Sequence, residues 1–395
     1  MQKQETRYPE ILRKCRLTML FACILLFMPA CIKSYFPDIS SNEINKYVVM
    51  GQITDQEGFQ EVSISLSSPV GEPKFIPVKN CSVIVTDDKG NYYVLDEYKS
   101  GYYHVWMSQS SITPGTAFKI DITTSDGTQI SSAYDRMPVV PEIDSVYFIR
   151  KDIPTNNPNN PQKGIQFYVD YNGNSLNSPY VMWVLEETWE YHTAYPITYY
   201  FDGSYHEMSP PDYSRHICWK TLTVDNVFTL STKDLVDNKY KMFPLHFVDN
   251  KTSRLAYGYS LLIKQLAISE AAYHYWDQIR INHCNPSGLY QQQPLAVKGN
   301  LENKTRPEDE ILGYFNASSV RSKRLFIPPL VNLEMDYTDF CSGPQPMRRG
   351  WKDGASPSNP VYLVVIEGSM LVLDDLCCDC RLQDGKNVKP DFWPN

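Results

Sequence analysis

The residues with the most chemistry to offer are the ten cysteines. Cys377-Cys378-Asp379-Cys380 puts three thiols into four positions, and Cys81, Cys218, Cys284 and Cys341 are spread upstream. Such thiols can hold a metal, form disulfides or stay free. A structural zinc site needs two ligand pairs at workable spacing. No second pair accompanies the cluster, and adjacent Cys377 and Cys378 cannot easily face one ion, so no metal ligand is assigned. Carboxylates also cluster, at Glu308-Asp309-Glu310 and Asp374-Asp375. A glycosidase needs two of them about 5–10 Å apart across a cleft, which neighbours on a strand or turn do not supply. The sequence has no G-x-S-x-G elbow, H-E-x-x-H pair or glycine-rich phosphate loop. The expectation is a protein with no catalytic residue and no cofactor.

A third grouping is aromatic. Tyr195, Tyr199, Tyr200, Phe201, Tyr205 and Tyr213 crowd one stretch with Pro196, Pro210 and Pro211. Aromatic rings beside polar groups stack on sugars or anchor a partner protein. The five tyrosines are therefore candidate partner or ligand contacts, although strand alternation would turn about half of such a run into the core.

The elements that must position these residues are mostly strands. In 395 residues, 42% are hydrophobic and 21% charged, and 28 Tyr and 28 Pro favour pleated surfaces and turns. Val62, Ile64 and Leu66 alternate with serines, the period of a strand with one buried face. Asp87-Asp88-Lys89-Gly90-Asn91 and Asp126-Gly127 read as hairpin turns. Seven short strands between Lys46 and Ala133 predict an immunoglobulin-like or transthyretin-like β-sandwich over residues 44–140, ended by Pro138 to Pro141. Residues 144–395 predict a larger β-rich domain. Its one substantial helix, over residues 269–284, has Ser269 as cap and Ala272, Trp276, Ile279 and His283 on one face.

The N-terminus reads as an export signal. Arg13, Lys14 and Arg16 precede the uncharged run Leu17 to Ala30, too short to span a bilayer comfortably. Met28-Pro29-Ala30-Cys31 resembles the lipobox of bacterial lipoproteins, with Pro29 and Met28 as departures. That makes 1–30 a signal peptide, Cys31 the acylated residue and 31–43 a tether. Cys23 fits the pattern less well, since cleavage there would leave an apolar mature end. An ordinary signal cut near Ala30, with Cys31 left to form a disulfide, is the other reading. Loss of residues 1–30 removes five basic and two acidic residues and takes the net charge from −8 to −11. An acidic chain without a clustered basic face argues against nucleic acid as a partner. With Cys15, Cys23 and Cys31 set aside, seven cysteines remain in an oxidising compartment, and an odd number leaves at least one thiol free or bonded between chains.

Several segments resemble one family. Cys31 to Ile39, Val48 to Asp55, Pro141 to Tyr147, Ala271 to Trp276, Leu312 to Val320 and Cys380-Arg381-Leu382 with Gly385 to Trp393 are similar to Bacteroidota outer-membrane lipoproteins carrying domain of unknown function 4249. Asp384-Gly385-Lys386 departs from the double glycine of that pattern, and Cys81, Cys284 and one thiol of the Cys377-Cys378 pair lie outside it. Cys218, Cys341, Cys377, Cys378 and Cys380 are then the candidate disulfide partners. The resemblance implies an outer-membrane lipoprotein on the periplasmic or cell-surface face, often associated with a TonB-dependent transporter, with no assigned catalytic residues. It also points to Ser145, in Asp144-Ser145-Val146, as a candidate O-glycosylation site, where the alternative is a strand start with a capping Asp. A structural or adhesive surface lipoprotein is the competing function.

Overall fold

The computed structural model describes residues 46–69, 73–155, 157, 161–174, 176, 178–284 and 297–394. The signal peptide, the tether and Cys31 lie outside the described residues, as do the side chains of His283 and Cys284. Residues 45–395 form one compact unit.

The chain begins with β1 (Tyr47–Thr54), β2 (Gly58–Leu66), the short β3 (Ile76–Pro77), β4 (Ser82–Asp87), β5 (Tyr92–Lys99), β6 (Tyr102–Met107), β7 (Ala117–Thr123), β8 (Gln129–Ser132) and the short β9 (Asp135–Arg136). Local chemistry sets the hairpins. Asp87 accepts hydrogen bonds from the backbone N–H of Asn91 (2.8 Å) and Lys89 (3.0 Å) and from Asn91 Nδ2 (2.7 Å), so it clamps the β4–β5 turn. Asp126 does the same for the β7–β8 turn through Thr124 and the Thr128 N–H. Its carboxyl is held down to about 2, chiefly by the Thr124 hydroxyl. The sheet curls around a core of Val49, Ile64, Val85, Tyr103, Phe118 and Ile120, all fully buried. Each such aliphatic side chain contributes about 1.5–3 kcal/mol.

Next come β10 (Ser145–Ile153), β11 (Gln162–Asn172), β12 (Tyr180–His192), β13 (Ile197–Phe201), β14 (Tyr205–Asp212), β15 (Ile217–Thr223), β16 (Phe228–Ser231), β17 (Lys239–Asp249) and β18 (Gly258–Ala267). The helix α1 (Glu270–Cys284) follows, then β19 (Leu301–Asn303), β20 (Leu312–Ile327), β21 (Gln345–Pro346), β22 (Val361–Ile366) and β23 (Ser369–Leu373). Ser269 caps α1, its Oγ accepting the Ala272 N–H at 3.2 Å. Three layers result. The β10–β11–β17 sheet packs on one face of β12–β18–β20 through Phe167, Tyr171, Trp183, Tyr259 and Ile263, while α1 lies against the other face through Ala272 and Tyr275. A separate five-stranded sheet runs β14–β13–β22–β23–β21. Its edge strand β14 tolerates Pro210 and Pro211 because no neighbour needs their missing N–H on that side.

Among the described residues, the mainly β class with one α-helix matches the expectation from sequence. The division of labour between its parts differs from a simple sequential split. The first half of β20 pairs in parallel with β1 (Val48 opposite Leu312), and its second half pairs antiparallel with β18. Short β19 adds to β8. Strands from far along the chain therefore finish the sheet begun by residues 47–136, and parallel pairing of distant segments leaves no local signature. Gly313 makes the approach feasible. It has φ +98°, and a Cβ there would sit 2.0 Å from the Val49 carbonyl oxygen. Side chains tie the intervening segment down as well. Asp135 accepts the Ala317 N–H (2.9 Å), Asp55 accepts the Val320 N–H (2.7 Å), and Arg321 bridges Asp55 (3.1 Å) and Glu142 (2.8 Å).

Candidate functional site

Among the described residues the cysteines form two disulfides. Cys218 on β15 is joined to Cys380, and Cys341 to Cys377, with Cα separations of 5.8 and 4.5 Å. Cys81 and Cys378 are free thiols. Cys378 is buried, and burial, with Asp375, Asp379 and Asp374 nearby, pushes its thiol up to about 12. A thiol that seldom ionises is a poor nucleophile. Burial raises Cys81 too. Among the described residues no group of three or more His, Cys, Asp or Glu is placed to hold a metal ion.

The carboxylate with the most unusual setting is Glu187, on β12 and almost wholly buried. Arg254 lies 3.1 Å from one oxygen, and the Tyr259 hydroxyl donates to the other at 2.9 Å. His246 Nε2 is 3.4 Å from that second oxygen, ion-pair range without hydrogen-bond alignment. Burial pushes the Glu187 carboxyl up, but His246, Arg254 and Tyr259 together outweigh it and hold it below the usual range. Arg254 also sits 5.2 Å over the Trp189 ring. Beyond it opens a cleft of about 440 Å³ lined by Trp189, Tyr191, Tyr337, Phe340 and Leu382. This cluster is a paired structural charge at the mouth of a cleft.

The five tyrosines do not form one site. Tyr195 and Tyr200 pack partly on the small sheet's core, beside the Cys341–Cys377 bond. Tyr199 donates to Glu207 (2.9 Å), and Tyr213 stands edge-on to His216. Tyr205 faces Phe201 across the β13–β14 turn and meets Trp351 from the loop between β21 and β22. Ser145 is half-buried at the start of β10, and the adjacent Asp144 pairs with Lys241 at 2.9 Å.

A larger aromatic surface lies on the outer face of β2, β6 and β5. Phe75 stacks on Tyr102 (4.9 Å between centroids), and Tyr102 approaches Tyr98 (6.4 Å). Tyr98 stacks on His104 (4.3 Å), His104 on Phe59 (4.3 Å), and Phe59 meets Trp106 edge-on (5.1 Å). Phe59 and Trp106 are 61% and 56% exposed, values that set this face apart from a core. Glu57, Glu61 and Asp96 are exposed beside it, the Tyr98 hydroxyl bonds Glu61, and the Lys99 ammonium sits 4.8 Å over the Tyr102 ring, so its rim carries both signs of charge. Sequence reasoning missed this surface. The signal was there in Tyr102, His104 and Trp106, three aromatic rings at period two, which must share one strand face.

The fold and these surfaces define a mainly β, disulfide-bonded protein whose exposed chemistry is aromatic contact. The chain belongs to the family described as Domain of unknown function (DUF4249), whose profile matches residues 32–324. Comparison with curated proteins finds no match. Among solved structures, trypsin-activated alpha-2-macroglobulin from Escherichia coli is similar at 10% identity and a TM-score of 0.20. The match covers 60% of this chain, which spans 15% of the length of that one.

Proposed function

We propose that this protein is a lipid-anchored, non-enzymatic outer-membrane protein that acts as an accessory or ligand-binding partner of a TonB-dependent nutrient transporter. The anchor reading rests on Arg13 to Cys31, a charged and then apolar segment ending in a lipobox-like cysteine. Several acyl chains hold stably where one holds only marginally, at about 0.8 kcal/mol per buried methylene. The observation that carries the partner reading is the six-ring face from Phe75 to Trp106. Exposed contiguous aromatic surface rimmed by polar groups marks interaction sites. The test is gentle detergent extraction of the tagged full-length protein, with mass spectrometry of what comes with it. A co-purifying β-barrel receptor that is lost in the Phe59→Ser/Trp106→Ser variant supports the proposal. Repeated recovery of the protein alone refutes it. Intact-mass measurement of the native protein checks Cys31 for acyl chains.

A further inference from the structure

Phe201 and Tyr205 flank the β13–β14 turn as a cross-strand pair, and Trp351 comes from a loop some 150 positions later. The three rings stand 5.1 to 6.1 Å apart at interplanar angles of 48° to 62°, so they form three walls rather than a stack. The Lys352 ammonium sits between them, 4.7 Å from the Phe201 centroid, 4.8 Å from Tyr205 and 5.1 Å from Trp351. Among the described residues no carboxylate lies within salt-bridge distance of Lys352, so the ring faces are its protein partners for that charge, beside solvent. Three ring quadrupoles converging on one cation are the chemistry by which proteins recognise methylated ammonium groups.

We propose that Phe201, Tyr205 and Trp351 form a binding cage for a methylated ammonium ligand, and that Lys352 is an internal plug that leaves when the ligand enters. The plug is suited to release. Lys352 is exposed, its stem is flexible, and a primary ammonium is strongly hydrated in water, whereas a quaternary one has no N–H to solvate. The backbone beneath it is held by turns, with the Trp351 N–H on the Arg348 carbonyl (3.1 Å) and the Asp353 N–H on the Gly350 carbonyl (2.9 Å), bonds that do not involve the lysine side chain. An open, shallow depression along the loop Met347 to Asp353 adjoins Trp351 and Lys352, with Arg348 and Arg349 on its border. The cage does not depend on the transporter reading.

The test is calorimetric titration of the purified full-length protein with choline, with glycerophosphocholine and with 3,3-dimethylbutanol, the uncharged shape-mimic of choline. Removing a competing internal occupant raises apparent affinity in proportion to the freed fraction, so Lys352→Gln and Lys352→Ala are expected to bind choline at least about fivefold more tightly than the parent. Adding Trp351→Ala to either is expected to abolish binding. Equal affinity for choline and glycerophosphocholine assigns a small soluble ammonium compound. Tighter binding of glycerophosphocholine assigns a phosphocholine headgroup, with its phosphate toward Arg348 and Arg349. Both results support the cage. No choline binding by either Lys352 variant, equal binding of the uncharged mimic, or binding that survives loss of Trp351 overturns it.

Discussion

The strands from Tyr47 to Arg136 and those from Ser145 onward are stabilised by different means. In the first group the β4–β5 and β7–β8 hairpins are closed by the turn carboxylates Asp87 and Asp126, and no disulfide is present among its described residues. The second relies on distant partners: Cys218 with Cys380, Cys341 with Cys377, and Glu187 with His246 and Arg254. Local closure costs little chain entropy, whereas ends far apart in sequence are costly to bring together and benefit most from a covalent or ionic link. The contrast implies that the two regions answer to different perturbations.

The largest expected effect tests the covalent links. Cys218→Ala/Cys380→Ala opens a loop of 162 positions and Cys341→Ala/Cys377→Ala one of 36. Loop entropy puts the losses at about 5 and about 4 kcal/mol. Urea unfolding measures both, and hydrogen exchange locates them. Amides of β4, β5, β7 and β8 should keep their protection while those of β12 and β15 lose it. Equal loss in both sets would break the comparison.

Glu187→Leu comes next, at about 3 kcal/mol, because it strands Arg254 and His246 in a low-dielectric site. The sign with pH follows from the depressed carboxyl. The cluster contributes fully above the unfolded Glu value of about 4.3 and is lost as pH falls through the lower folded value. Urea midpoints from pH 7 to pH 3 should drop for the parent and stay flatter for the variant. On the hairpin side, Asp87→Ala removes a carboxylate that serves two backbone N–H groups and an amide. The expected cost is about 2 kcal/mol at neutral pH. Burial works against this carboxyl, but the bonds from Asn91, Lys89 and Tyr93 lower it overall. Parent and variant should therefore converge in stability as acid protonates Asp87. The smallest effect belongs to Phe59→Ser/Trp106→Ser. Both rings are exposed, so thermal stability should change by only about 0.5 kcal/mol, which separates a docking surface from a structural one.

These same differences decide what could be read in advance. The hairpins at Asp87 to Asn91 and Asp126-Gly127, the strand at Tyr180 and the helix after Ser269 were legible, since each is encoded in a few consecutive residues. The parallel partnership of β1 with β20 was not, because Val48 and Leu312 carry no mark of each other. The cysteines announced oxidised chemistry, but two adjacent thiols at 377 and 378 gave no basis for choosing which one bonds Cys341. The tyrosine run drew the eye to Tyr205. The rings that complete its surroundings are Phe201, inside that run, and Trp351, far outside it.

The strand Leu312–Ile327 works as a keel, with one half seated against β1 and the other against β18. A fragment cut after residue 140 would lose it and leave the β20-facing edge of Val48–Thr54 without a strand partner. Raw strand edges of that kind recruit a copy of themselves. Such a fragment should elute as dimers and larger species, and adding a synthetic peptide of residues 312–320 should return it to a single molecule.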